Sequence, residues 1–124
     1  MNTTISRLPS RVPTSLESWT GHDWRHGVLL PRLGPYDQLI VRTRNSTYEI
    51  IVIEPQTASV LVRGGNFFPE FSRARVAGSS LGGGLLKLHG VYAGFQMELV
   101  AGETILTTCV RTVSVLTAGI GPVM

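Results

Sequence analysis

Four groups of residues in this chain have the types and spacing to do chemistry. Gly78-Ser79-Ser80-Leu81-Gly82 has the G-x-S-x-G spacing of a nucleophile elbow, where a strand–turn–helix strains a serine into exposure beside an oxyanion hole. Gly83 and Gly84 follow and oppose a helix, and no histidine follows Glu98 or Glu103 to complete an acid–histidine pair. A serine hydrolase is therefore not the expected reading. The same stretch would cradle phosphate with its backbone amides, but a Walker loop needs Gly-Lys-Ser/Thr opening a helix. Lys87 instead stands three residues past Gly84 in a strand-like run, so residues 78–84 read as a glycine-rich β-connection.

His22 and His26 are four apart, the spacing of two zinc ligands on one helix face. Gly21 and Gly27 bracket them and argue against that helix, and a third ligand would have to be Asp23 or His89. No metal, cofactor or catalytic residue is expected. The fourth group is Arg42, Arg44, Arg63, Arg73 and Arg75. If their strands are neighbours, they form an arginine stripe on one outer face, with Tyr48, Phe67 and Phe68 near enough for stacking. Small barrels bind nucleic acid with a basic groove and an aromatic platform. Against this, Glu49, Glu54 and Glu70 dilute the charge, and Glu49 would pair with Arg63 across two strands.

The composition sets the frame. The chain has 124 residues, a length suited to one domain that buries a core without metals or disulfides. Its 43% hydrophobic and 15% charged content excludes wholesale disorder. The net charge is +3, carried by ten arginines and one lysine, and residues 1–75 hold nine of the arginines against six acids. The one cysteine, Cys109, has no internal disulfide partner and sits in an apolar, threonine-rich run, where it reads as a small core residue in a reducing compartment. No apolar run reaches about 18 residues, and residues 1–15 lack the apolar centre of a secretory signal. The expectation is a cytoplasmic protein that does not enter the membrane.

The elements that must position these groups are strands. Fourteen glycines imply many turns. Residues 1–35 contain Pro9, Pro13, Pro31 and Pro35 and read as a partly ordered arm whose second half, with Trp19 and Trp24, packs on something. Leu39, Val41 and Thr43 then alternate with Ile40, Arg42 and Arg44. Residues 48–53 are apolar on both faces apart from Glu49, as in a central strand. Glu54-Pro55-Gln56-Thr57 turns the chain, and residues 59–63 return with Val60 and Val62 on one face. Phe67 and Phe68 anchor a loop, and residues 72–77 present Arg73 and Arg75 together. Residues 85–89 form a further strand. In residues 91–99, Val91, Ala93, Phe95, Met97 and Leu99 share one face. Residues 104–116 form a β-branched run whose apolar phase changes at Arg111, the signature of a bulge. The whole reads as all-β: a small antiparallel barrel or sandwich of six to seven strands over residues 36–118, with an irregular N-terminal arm and a tail over 119–124.

Two stretches, Thr43-Arg44-Asn45-Ser46-Thr47-Tyr48 and Val62-Arg63-Gly64-Gly65-Asn66-Phe67-Phe68-Pro69, resemble a family of short uncharacterised bacterial proteins with a β-rich domain, over roughly residues 38–115. The resemblance implies a bacterial origin and no activity. On their own chemistry, Asn45 and Ser46 suit a tight turn, Gly64-Gly65 permits close backbone approach, and the two stretches should meet in space. The expected function is a non-enzymatic binding or assembly domain that recognises a protein partner or another copy of itself. The alternative is nucleic-acid or anionic-ligand binding through the arginine face. Arg42, Arg44, Asn45, Ser46, Tyr48, Arg63, Gly64, Gly65, Phe67, Phe68, Arg73, Arg75 and His89 are the candidate contact residues.

Overall fold

The computed structural model describes residues 26–81 and 85–117. In chain order the strands are β1 (Gly27–Leu29), β2 (Gln38–Thr43), β3 (Thr47–Glu54), β4 (Ser59–Gly64), β5 (Phe68–Ser80), β6 (Leu86–Leu88), β7 (Gly90–Tyr92), β8 (Gln96–Ala101) and β9 (Glu103–Leu116), with 3-10 turns at Leu30–Arg32 and Pro55–Thr57. All pairings are antiparallel. Six strands close a ring in the order β2-β3-β4-β5-β8-β9 and back to β2. β6 extends the β4 side of β5, and β1 pairs with β7 in a separate ribbon. The fold is therefore all-β, as the alternation implied, and of the two forms expected, barrel or sandwich, the ring-like pairing corresponds to the barrel. No helix among the described residues is long and apolar enough to cross a membrane.

Alternate residues of each ring strand point inward and are removed from water. Leu39 and Val41 come from β2, Tyr48, Ile50 and Val52 from β3, and Val60 and Val62 from β4. Phe68 and Val76 come from β5, Met97 and Leu99 from β8, and Ile105 and Val110 from β9. Each such side chain contributes on the order of 1.5–3 kcal/mol by leaving water. The expected arm of residues 1–35 meets the described residues only at its end. There β1 forms, Leu30 enters the core at 0% exposure, and the Pro31 carbonyl accepts from Gln56 Nε2 at 3.4 Å. The tail over 119–124 and Trp19, His22 and Trp24 lie outside the described residues.

A small ring must curve sharply, and it does so at register shifts in five of the strand pairs. The expected break at Arg111 is one of them. Arg42 pairs with Thr112 and Thr43 with Val110, leaving Arg111 as the extra residue. A second shift pairs Gln96 with Cys109 but Glu98 with Leu106. That shift reverses the phase of β9, so Cys109 is exposed and is not the core residue its apolar setting suggested. At the third, between Val76 and Gly78, the strand takes φ +151° at Gly78, where a Cβ would stand 2.2 Å from the Lys87 carbonyl.

Other sequence expectations change for related reasons. β3 has Tyr48, Ile50 and Val52 inside, but its other face looks outward from a ring, so Ile53 is 37% exposed instead of sandwiched. Phe68 is not a loop anchor; it begins β5 and is buried, while Phe67 beside it is exposed. Residues 91–99 are not one strand. They divide into β7 and β8 around Gly94, whose φ is +94°. The glycine-rich stretch is strand as far as Ser80, because β5 continues past β4 to pair with β6 and β8.

That continuation gives Ser79 its role. The residue is fully buried; its Oγ donates to the Gly90 carbonyl at 2.8 Å and accepts from the Tyr92 N–H at 3.1 Å. It stitches β7 to β5 where those backbone groups find no ladder partner in β5. Ser79→Ala removes both buried hydrogen bonds and should lower the unfolding free energy by about 1–3 kcal/mol, read from urea denaturation. A change smaller than about 0.5 kcal/mol, the size of a neutral surface substitution, would remove this stitch from the account.

Candidate functional site

The two stretches expected to meet do meet. The β2–β3 connection is closed by Thr43: its N–H donates to the Ser46 carbonyl at 2.8 Å, and its Oγ1 accepts from the Ser46 N–H at 3.1 Å. The Asn45 N–H donates to Thr108 Oγ1 at 3.4 Å, tying the turn to β9. Tyr48 pairs with Gly64, and its ring lies against Gly65. A Cβ at Gly65, where φ is +61°, would stand 2.5 Å from the Tyr48 hydroxyl. Asn45, Ser46, Tyr48, Gly64 and Gly65 are thus explained by the packing of two hairpin ends. His89 lies elsewhere, at φ +57° between β6 and β7, with its N–H on the Ala77 carbonyl and its carbonyl on the Leu30 N–H. Ten residues of β5, roughly 30 Å of strand, separate Phe68 from Gly78 at that end.

The arginines divide. In a ring of six, β2 and β5 are three strands apart in either direction and stand on opposite walls. Arg73 and Arg75 therefore face away from Arg42 and Arg44, and the five do not form one stripe. On the β3–β4–β5 wall the outward residues include Ile51, Ile53, Leu61 and Phe71. Leu61 is flanked directly by Ile51 on β3 and Arg73 on β5. A shallow groove of about 160 Å³ runs here, lined by Ile53, Ser59, Val60, Leu61, Arg73 and Ala74. Its border is charged. Arg63 Nε donates to Glu49 Oε1 at 2.6 Å, in the expected cross-strand ion pair, and the same guanidinium lies 4.3 Å from the centre of the Phe71 ring. Both partners are close to half exposed, so the pair fixes geometry more than it adds stability.

The opposite wall carries Arg42, Arg44 and Arg111. An open cleft of about 540 Å³ lies beside it, lined by His26, Gly27, Ala93, Arg111, Thr112 and Val113. Sequence reasoning marked Arg111 as a bulge but not as a site residue. The change in apolar phase was the available signal, since a bulge re-aims a side chain. The Arg44 N–H donates to the Cys109 carbonyl at 3.0 Å, and Arg111 follows Cys109 two residues along β9. Burial of its sulfur raises the thiol pKa above its ordinary value, and Arg111, the Gly94 N–H and Arg44 pull it back in that order. The thiol is therefore not an activated nucleophile.

No family model, curated protein or solved structure matches this chain, so the resemblance noted over residues 38–115 carries no part of the functional argument.

Burial also raises the phenol of Tyr48, against a lowering hydrogen bond from Ser46, and raises that of Tyr92, against the charge of Arg32. For all three groups the fold prefers the neutral form. The stability this contributes is intact below the ordinary thiol and phenol values and is lost as pH rises through the raised ones. Denaturant midpoints should hold to about pH 8 and decline between about pH 9 and 11, with Tyr48→Phe removing part of the decline. A midpoint constant across that range in both proteins would refute the assignment.

Proposed function

We propose that the protein is a non-enzymatic assembly domain that binds a protein surface, in the first place a second copy of itself, through the β3–β4–β5 wall. One observation carries the reading: four strand positions that could be polar, Ile51, Ile53, Leu61 and Phe71, are apolar on the outward face, Ile53 and Phe71 exposed and Ile51 and Leu61 half-buried. Protein interfaces have this anatomy, with an apolar and aromatic centre inside a polar rim. The rim here holds both signs of charge, with Arg73 and Arg75 on one flank and Glu54 and Glu70 within the same strands. The non-enzymatic part is supported by Ser80, the serine at the elbow position of residues 78–82, which ends β5 as a buried residue and is not exposed on a strand–turn–helix.

The alternative, nucleic-acid or anionic-ligand binding along an arginine face, loses its continuous stripe when the arginines divide between two walls. It makes a distinct prediction, since phosphate contacts weaken linearly in log affinity with log salt.

Sedimentation at increasing concentration should reveal a dimer. Leu61→Asp should raise its dissociation constant at least tenfold, because a carboxylate in an apolar contact must be desolvated. Ile51→Lys provides a second variant on a neighbouring strand, and denaturation curves verify that both remain folded. A monomer at every concentration, or a dimer unaffected by both substitutions, would defeat the proposal. Salt-dependent oligonucleotide binding that vanishes in Arg73→Gln/Arg75→Gln would favour the alternative.

A further inference from the structure

Ring closure concentrates positive charge at one point of the barrel. Arg111 is the extra residue of the β9 bulge, and it and Thr112 are both exposed. Arg42 stands directly opposite Thr112, at the roughly 5 Å Cα spacing of a cross-strand pair. Arg44 lies two residues beyond Arg42, and its N–H donates to the Cys109 carbonyl at 3.0 Å, which fixes it against the strand leading into the bulge. Arg111 follows Cys109 by two residues on β9, so the backbone register alone brings Arg42, Arg44 and Arg111 together on two adjacent strands. None of the three arginines makes an ion pair among the described residues; Glu49, the acid nearest in register, is engaged by Arg63. Like charges held this close repel one another, and a bound anion relieves the repulsion.

The place is also concave. Arg111 and Thr112 form part of the cleft wall, with Ala93 and Val113 as apolar lining. The volume is within the range of small-molecule sites. From Arg111 onward β9 has a ladder partner only in β2. Its β8-side hydrogen bonds end with Val110, which bonds Gly94 and Phe95, so the edge that borders the cleft is uncovered among the described residues.

We propose that this cleft binds a small phosphorylated molecule, its phosphate held at the lip by Arg111 and the Thr112 hydroxyl, its body lying against Ala93 and Val113, with Arg42 and Arg44 on the adjoining strand adding positive potential from outside the lining. The planar guanidinium fork matches two phosphate oxygens at once, and a compact group of such forks suits a dianion. An extended nucleic acid would need the charge to continue, and the next arginines round the ring lie on the far wall. The site is independent of the association surface proposed above, which uses neither β9 nor the cleft.

The test follows backbone amide and arginine Nε–H resonances during titration with inorganic pyrophosphate at low salt, with a short oligothymidylate in a separate arm. The expected result is a saturable shift at Gly27, Arg111, Thr112 and Val113. Arg111→Gln should weaken binding about tenfold or more, and Arg42→Gln, an independent exposed variant, should also weaken it. Arg73→Gln on the opposite wall should leave it unchanged, and resonances outside the site verify that each variant is folded. Pyrophosphate that shifts both walls alike, binding that survives Arg111→Gln and Arg42→Gln, no saturable shift, or binding of oligothymidylate alone would each overturn the proposal.

Discussion

The pairing of the first ring strand with the last is the contact on which the rest of the structure depends. β2 and β9 join from Gln38 against Leu116 to Thr43 against Val110, across more than sixty residues of intervening chain. Without it, the six strands β2-β3-β4-β5-β8-β9 would be an open sheet with β2 and β9 as exposed edges. With it, every ring strand has a neighbour on both sides, and the inward faces of all six enclose one core. The entropic cost of closing so long a loop grows only logarithmically with length, so a modest gain in burial sustains the closure. Strands joined from distant parts of a chain also form slowly, and the local β2–β3, β3–β4 and β8–β9 hairpins give the folding chain pieces to assemble.

Closure at so small a circumference cannot be met by regular strands alone. The register shifts supply the bending, and each has a chemical consequence. At Arg111 it turns two consecutive polar residues outward. Between Gln96 and Glu98 it moves Cys109 from the inside phase to the outside. At Ala77–Gly78 it lets β5 leave β4, accept β6 on one edge and β8 on the other, and present Ser79 to β7. The irregular positions are where the barrel differs from a uniform cylinder, and they are where its surface acquires features that a partner or ligand recognises.

The two walls that result differ in kind. On the β3–β4–β5 wall Arg63 is engaged by Glu49 and by the Phe71 ring, and Ile53 and Phe71 are left facing water. Around β2–β9 the arginines form no ion pair among the described residues, and a concavity adjoins Arg111. The first surface gains by excluding water over an area, the second by neutralising charge at a point. These are different driving forces, weakly and strongly dependent on salt respectively.

The sequence by itself determined the β class, the hairpin over residues 48–63, the inward sets Leu39–Val41–Thr43 and Val60–Val62, the Glu49–Arg63 pair and the break at Arg111. All of these depend on side-chain alternation with period two and on turn chemistry between neighbours in the chain. It did not determine which strands are opposite one another. The exposure of Ile53 and Cys109, the burial of Phe68 and Ser79, the division of the arginines and the grouping of Arg42, Arg44 and Arg111 beside a cleft all follow from ring closure and from which strand receives an extra residue. Those are decided by the summed packing of six strands, a balance no local stretch of sequence contains, and only the tertiary structure expresses it.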